Sequence, residues 1–330
     1  MAEIQGPIPV EAFRARIEAS YQPVVIRNQM QDWPIVQHAR RSTAALANLL
    51  EAMDNGRELA VMVGPREEKG RFFYNEGITG HNFQVRKGQL TGFLRHLIRV
   101  SDNADADSAY VGGVLAGDYL RQWSETHRPP IDVAHAEPRL WIGNRTHVTT
   151  HMDETSNVAA VVAGRRKFVL FPPEQLDNLY LGPLHFTIAG PPVSMVDLND
   201  PDLEKYPRFA TALEQAQVAE LGPGDVIYIP PIWWHSITAL ESVNAMVNYW
   251  WAAEGARSGM RALFQAIAAL RDLDPPHREA WRHWFERFVF DKDAERMADH
   301  LPEHIQGFAG PPSAQRQEFL NAFFGNSGDF

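Results

Sequence analysis

His151 and Asp153 stand one residue apart in THMDE, and His235 follows 84 residues after His151, in GPGDVIYIPPIWWHS. Alternate residues of an extended chain face the same way, so the His151 imidazole and the Asp153 carboxylate project to one side. With His235 as the third ligand, two imidazoles and one carboxylate form a facial set that leaves positions open on Fe(II) for a co-substrate and dioxygen. A metal in this chain must use His, Asp or Glu. There is no cysteine, which excludes thiolate zinc sites, iron–sulfur clusters, disulfides and cysteine nucleophiles together.

A co-substrate such as 2-oxoglutarate, chelating the metal through its keto-acid end, needs a cation deep in the site for its distal carboxylate. Arg166 stands two residues after Gly164, where a guanidinium would hold that carboxylate bidentately. Strand alternation puts Arg166, Phe168 and Leu170 on one face and Lys167 and Val169 on the other. The anchor is therefore Arg166, or Lys167 if the strand faces the other way. Residues 149–173 as a whole read as a hairpin with the metal at its start and the anchor after its turn.

The elements that must position these groups are mostly short strands. Candidates are 140–143, 148–153, 158–163, 167–171, 217–221, 225–229, 236–240 and 245–251, with His235 closing the strand that follows Pro223-Gly224-Asp225. Closely spaced segments broken by Gly and Pro indicate an all-β core of the jelly-roll kind rather than βαβ units. A long excursion over 183–213 is expected to cover a site mouth. Ahead of the core, residues 1–109 read as a mixed α/β region. It has a helix over 9–20, a strand over 23–26 stopped by Trp33-Pro34, and a helix over 43–53 capped by Ser42. A strand over 58–63, β-prone segments at 72–74 and 83–85 and a helix over 90–100 complete it. The polar run 101–108 lacks the glycine and distal Glu of a calcium loop and reads as a solvated turn. The division is thus 1–109, a catalytic core over 110–252, and a helical region over 253–330. That last region holds helices over 259–272, 278–289 and 315–324, with Pro275-Pro276 as a stop. Its aromatic residues Trp281, Trp284, Phe285 and Phe288 either pack on the core or form a homodimer contact.

Of the 330 residues 45% are hydrophobic, ample for a buried core, and the formal charge is -10. Acidic residues are spread along the chain, which disfavours a nucleic-acid partner. There is no apolar run of membrane-spanning length and no signal-peptide pattern at the N-terminus, so a cytoplasmic protein with no membrane partner is expected.

Several segments together carry a family resemblance: Thr149 through Asp153, Asn157, Gly164 with a basic residue two on, Leu170-Phe171-Pro172-Pro173, Pro223-Gly224-Asp225, Tyr228-Ile229-Pro230 and Trp233-Trp234-His235. They resemble the JmjC-type cupin-like Fe(II)/2-oxoglutarate oxygenases, and within that group are most similar to the asparaginyl hydroxylase of hypoxia-inducible factor and its bacterial relatives. The likeness is dense over 140–251, looser over 1–139 and weak in the tail. It implies a double-stranded β-helix with His151, Asp153 and His235 as iron ligands. Tyr110 would help to hold the distal carboxylate, Asn157 and Asn248 would line the co-substrate pocket, and Trp250 would wall it. Arg166 stands where relatives commonly have Lys, and Val148 where a threonine contacts the co-substrate.

The implied activity is hydroxylation of a C–H bond using dioxygen and 2-oxoglutarate, with succinate and carbon dioxide released. A protein or peptide side chain is favoured slightly over a small molecule as substrate. Two other readings stand beside it. A cupin metalloenzyme holding zinc or manganese without 2-oxoglutarate would not need the Arg166 anchor, and a non-catalytic binding module would not need three metal ligands.

Overall fold

The structure, a computed structural model, describes residues 1–129, 131, 136–253 and 256–325. The chain divides into two units, Met1–Trp251 and Ala252–Phe330. The first unit opens with β1 (Ala2–Gln5), α1 (Val10–Arg16), β2 (Val24–Arg27), α2 (Pro34–Arg41), α3 (Thr43–Met53), β3 (Glu58–Gly64), β4 (Arg71–Phe72), β5 (Gln84–Gln89) and α4 (Leu90–Val100). It continues through β6 (Ser108–Leu115), α5 (Ala116–Tyr119), α6 (Trp123–Thr126), β7 (Arg139–Gly143), β8 (His147–Met152), β9 (Ser156–Ala163) and β10 (Arg166–Phe171). It closes with α7 (Phe209–Glu214), β11 (Gln217–Leu221), β12 (Val226–Ile229), β13 (Trp234–Ala239) and β14 (Asn244–Trp251).

Two sheets face one another. The larger has nine strands in the order β1-β2-β12-β9-β14-β7-β6-β3-β5, the smaller five in the order β11-β10-β13-β8-β4. All strand pairs are antiparallel except β1 with β2 and β4 with β8. Ala159, Val161 and Ile227 of the large sheet and Phe168, Leu170 and Ile237 of the small one meet in a core between the sheets. On its other face the large sheet buries Val158, Ala160 and Val247 against Phe13, Leu46, Leu50, Leu94 and Leu97 of the helices. The apolar spacing of α4 is what buries Leu90, Phe93, Leu94 and Leu97 together, and Ser42 caps α3 by accepting from the Ala45 amide at 3.1 Å. This is the jelly-roll cupin arrangement expected from the strand pattern. Strands from residues 1–109 join both sheets: β1, β2, β3 and β5 extend the large one on both sides, and β4 edges the small one.

Three local expectations are corrected. Residues 149–173 do not form a hairpin. Strand β8 lies in the small sheet, β9 in the large and β10 in the small again, so the turn at Gly164-Arg165 crosses between sheets. Gly164 is required there, since its φ is +66° and a Cβ would collide with Asn244 Oδ1 and the Val243 carbonyl. His235 is the second residue of β13 rather than the last of the preceding strand, because Pro230-Pro231 ends β12 and Ile232, at φ +66°, turns the chain back. Finally, Pro34 and Pro275 start helices instead of stopping the chain, since a first-turn proline gives up only an N–H that has no intrahelical partner.

The second unit holds α8 (Gly259–Leu270), α9 (Pro275–Phe285) running into a π turn over Glu286–Phe290, and α10 (Ala314–Phe324). Of its described residues 256–325, only Ala298 and Gly310 are buried.

Candidate metal centre

His151 comes from the end of β8, His235 from the start of β13, and the two are directly paired across the small sheet. Their inward aim depends on a β-bulge. Val148 pairs with Ile237 and His151 with His235, so two residues of β8, Thr149 and Thr150, stand opposite the single Ser236. Without the extra residue, Val148 and His151, three apart, would point to opposite faces. The bulge turns His151 into the core side while His147, paired with Thr238, stays on the outer face. Asp153 lies just beyond β8, and the ligand atoms of His151, Asp153 and His235 all fall within 4.8 Å of one another.

Both imidazoles are oriented in the same way. His151 Nδ1–H donates to the Thr149 carbonyl at 2.8 Å and His235 Nδ1–H to the Trp233 carbonyl at 3.1 Å. A carbonyl can only accept, so Nδ1 carries the proton in each ring and both Nε2 lone pairs are left for a metal. Burial, with His151 beside it, pushes the His235 imidazole down to about 4 against the pull of Asp153, keeping it neutral at physiological pH. Asp153 Oδ2 accepts from Trp250 Nε1 at 3.1 Å and from Asn157 Nδ2 at 3.4 Å. Asn157 Oδ1 in turn accepts from Asn248 Nδ2 at 3.1 Å, and Asn248 Oδ1 from Trp141 Nε1 at 2.7 Å. A single polar chain thus runs from the metal ligand across β9, β14 and β7 of the large sheet.

At the other end of that chain Arg166 is 1% exposed, on the same face of β10 as Phe168 and Leu170. Its Nη2 donates to the Trp141 carbonyl at 3.4 Å, and its Nε has no hydrogen-bond partner among the described residues. No carboxylate pairs with it among those residues. Burial pushes its guanidinium below the ordinary arginine value, opposed by the charge interaction and side-chain hydrogen bond with Tyr110. Burial likewise raises the Tyr110 phenol, with Arg166 opposing it. A buried cation without a counter-charge is costly, and this one sits where a carboxylate-bearing ligand can supply the missing partner. Lys167 is half-buried and registers with Thr238 and His147 on the opposite face of the small sheet. Val148 faces the inter-sheet core, where a threonine would have offered a hydroxyl. The expected residues Tyr110, Asn157, Arg166, Asn248 and Trp250 thus come together on the inner faces, and Lys167 does not join them.

The sequence reading missed Trp141, which donates to Asn248 and stacks on Tyr110 at 6.1 Å. Its signal was the alternation of Arg139, Trp141 and Gly143 along β7. Also missed were the two carbonyls that orient the imidazoles, which leave no trace in side-chain identity. The excursion after β10 lies along the ligand strand. Val193 bridges to His151, and the Ser194 amide donates to the Thr150 carbonyl at 2.7 Å.

A family model described as a cupin-like domain matches residues 9–257. Among curated proteins, the chain is 31% identical to HSPB1-associated protein 1 of Bos taurus over 294 residues, covering 83% of this chain and 58% of that protein. It is 37% identical to lysine-specific demethylase JMJ31 of Arabidopsis thaliana over 159 residues, 48% of this chain and 26% of the relative. It is 35% identical to tRNA wybutosine-synthesizing protein 5 of Danio rerio over 102 residues, 31% of this chain and 28% of that one. The chain spans between about a quarter and somewhat over half of the length of these relatives.

Proposed function

Because the chain belongs to the cupin-like domain family, we propose that it is an Fe(II)- and 2-oxoglutarate-dependent oxygenase. The reaction is hydroxylation of a C–H bond of a protein or peptide side chain, with release of succinate and carbon dioxide. One observation carries the reading. The His151–Asp153–His235 set and the buried Arg166, which has no carboxylate partner among the described residues, stand on the inner side of the two sheets. A zinc or manganese cupin would use the first and leave the second as an unexplained cost.

In this reading the bound metal, with 2-oxoglutarate and dioxygen, supplies the oxidising chemistry. The chain supplies everything else. His151 and His235 present Nε2 lone pairs, locked in orientation by the Thr149 and Trp233 carbonyls. Trp250 and Asn157 hold the Asp153 carboxylate from one side. Arg166 and Tyr110 take the distal carboxylate of 2-oxoglutarate at the closed end, where burial strengthens the pair. Trp141 and Trp250, packed edge to face at 5.9 Å, exclude water between the two ends. The net charge of -10 disfavours nucleic acid as the substrate and leaves proteins and peptides favoured.

The test is anaerobic titration of the Fe(II)-loaded protein with 2-oxoglutarate, followed by admission of oxygen. A metal-to-ligand charge-transfer band and then succinate are expected, with succinate rising further when peptides are added. No band and no succinate would overturn the oxygenase. Succinate stimulated by metabolite fractions but by no peptide would overturn the side-chain substrate alone.

A further inference from the structure

Desolvated cations are few in the first unit, and their partners tell them apart. Among its arginines Arg166 is buried and Arg27, Arg71 and Arg139 are half-buried, while the rest are exposed. Arg27 pairs with Asp225 at 2.7 Å and Arg71 with Asp197 at 3.5 Å. Arg139 has no carboxylate partner among the described residues: its Nη1 donates to the Gly113 carbonyl at 2.9 Å, and its Cζ lies 5.4 Å from the centre of the Trp250 ring. The other N–H donors of this guanidinium make no hydrogen bond to a described residue. Arg166 and Arg139 are therefore the two desolvated arginines without a counter-charge there.

Arg139 is placed at the metal end by the strands around it. It stands directly opposite Asn248 and two residues before Trp141, so it shares the inner face of the large sheet with both. A bulge in β6 fixes it there, because Gly112 and Gly113 stand opposite the single Trp141. Gly113 has φ +68°, and a Cβ on it would come within 3.0 Å of the Trp141 ring, so only glycine lets the indole lie against this backbone while its carbonyl accepts from Arg139. On the other side is Trp250, whose Nε1 donates to Asp153 Oδ2 at 3.1 Å. One indole thus separates the Arg139 guanidinium from the metal-ligand carboxylate. Arg166 answers the one carboxylate of 2-oxoglutarate that does not chelate the metal. A second guanidinium lacking a carboxylate, at the opposite end, calls for an anion on the other reactant. The net charge of -10 does not oppose this, since spread charges are screened beyond about 10 Å at 0.1 M salt and the neighbouring guanidinium decides.

We propose that Arg139 determines specificity by holding a carboxylate of the substrate beside the metal, so that the peptide oxidised carries Asp or Glu at or next to the hydroxylated residue. This rests on the oxygenase reading above. The experiment uses the full Fe(II)-loaded chain with 2-oxoglutarate and two randomised peptide pools, one containing Asp and Glu, the other Asn and Gln in their place. The charge-transfer band is expected without any peptide, and succinate should rise at least ~10-fold more with the acidic pool. Arg139→Gln should raise the apparent KM for the acidic pool about 10- to 100-fold, and Arg139→Lys, which keeps the charge without the fork, should recover part of it. The band of Arg139→Gln should form at the same 2-oxoglutarate concentration as in the parent; a shifted band or weaker iron binding would make Arg139 a support for Trp250 and overturn the inference. A parent chain with no band removes the oxygenase reading and this inference with it. A band followed by equal responses to the two pools, or by an acidic preference that survives Arg139→Gln, refutes the inference alone. A response to small carboxylic acids and to neither pool, lost in Arg139→Gln, supports the carboxylate contact and moves its source to a metabolite; no response to any of the three refutes it. Comparing the pools needs no variant, so a misfolded Arg139→Gln would not shield the inference.

Discussion

The space between the sheets and the face of the C-terminal helices break the ordinary burial rule in opposite directions. Inside, Arg166, Asn157, Asn248 and His235 are polar and at most 4% exposed. Outside, α8 and α9 show tryptophan and phenylalanine to solvent. The interior carries Arg166 with no carboxylate partner among the described residues and imidazole lone pairs turned to one point, which suits a small dianion and a cation; the helices of the second unit carry exposed apolar area instead. The chemistry of what is left unsatisfied indicates the kind of ligand, buried polar groups asking for a small charged partner.

The largest effect should come from the metal end. His235→Ala or Asp153→Asn is expected to lower 2-oxoglutarate turnover by more than the ~100-fold that losing an outer-shell partner typically costs. Iron binding by equilibrium dialysis should fall in parallel. Turnover within tenfold of the parent would remove these residues from the centre. Arg166→Met separates the two roles of a buried cation. Loss of a buried charge partner is worth about 2–5 kcal/mol, so the apparent affinity for 2-oxoglutarate should fall at least ~30-fold while iron still binds. The same change should leave the unliganded protein as stable, or about 1–4 kcal/mol more stable, because it removes an uncompensated charge. A variant that binds 2-oxoglutarate normally, or unfolds, would mean that Arg166 is structural. Lys167→Ala should leave both properties unchanged.

Trp250→Phe keeps the ring and removes the Nε1 donor to Asp153. Metal affinity should drop about 10- to 100-fold, measured by competition with a chelator. An unchanged affinity would show that Asn157 alone suffices to hold the carboxylate.

Much of this site was legible from single strands. HxD, the glycine turn before Arg166 and the downstream His235 are local patterns, and alternation alone separates Arg166 from Lys167 once one inward residue is known. What stayed hidden depends on partners distant in sequence. The bulge at Thr149-Thr150 exists only relative to Ser236, and the sheet to which β9 belongs is set by pairing with β12 and β14. Proline was ambiguous for a different reason. The missing N–H that breaks a helix interior is harmless in its first turn, so Pro34 and Pro275 carried the same local signal as a stop.

The smallest effect concerns a buried polar residue that has all its partners, the counterpart to Arg166. His127 is 2% exposed, stacked on Trp123 at 4.1 Å, and its Nε2 accepts the Ile35 amide of the α2 first turn at 3.2 Å. Its Nδ1–H therefore donates to Thr126 Oγ1, at 2.9 Å. Protonation would place a second N–H against the helix N-terminus, where the dipole already disfavours positive charge. Burial pushes this imidazole down to about 4 from its ordinary 6.5. The sign follows from linkage. Above pH 6.5 both folded and unfolded chains carry neutral His127 and it adds no pH dependence; between pH 6.5 and about 4 only the unfolded chain takes up the proton, so stability falls as pH falls. The slope is about 1 kcal/mol per pH unit for this residue. Denaturant melts of the metal-free protein at pH 7 and pH 5.5 should differ by that amount more in the parent than in His127→Gln, whose side chain can still accept from Ile35 without titrating. Equal pH dependence in the two would show that the capping imidazole is not what titrates.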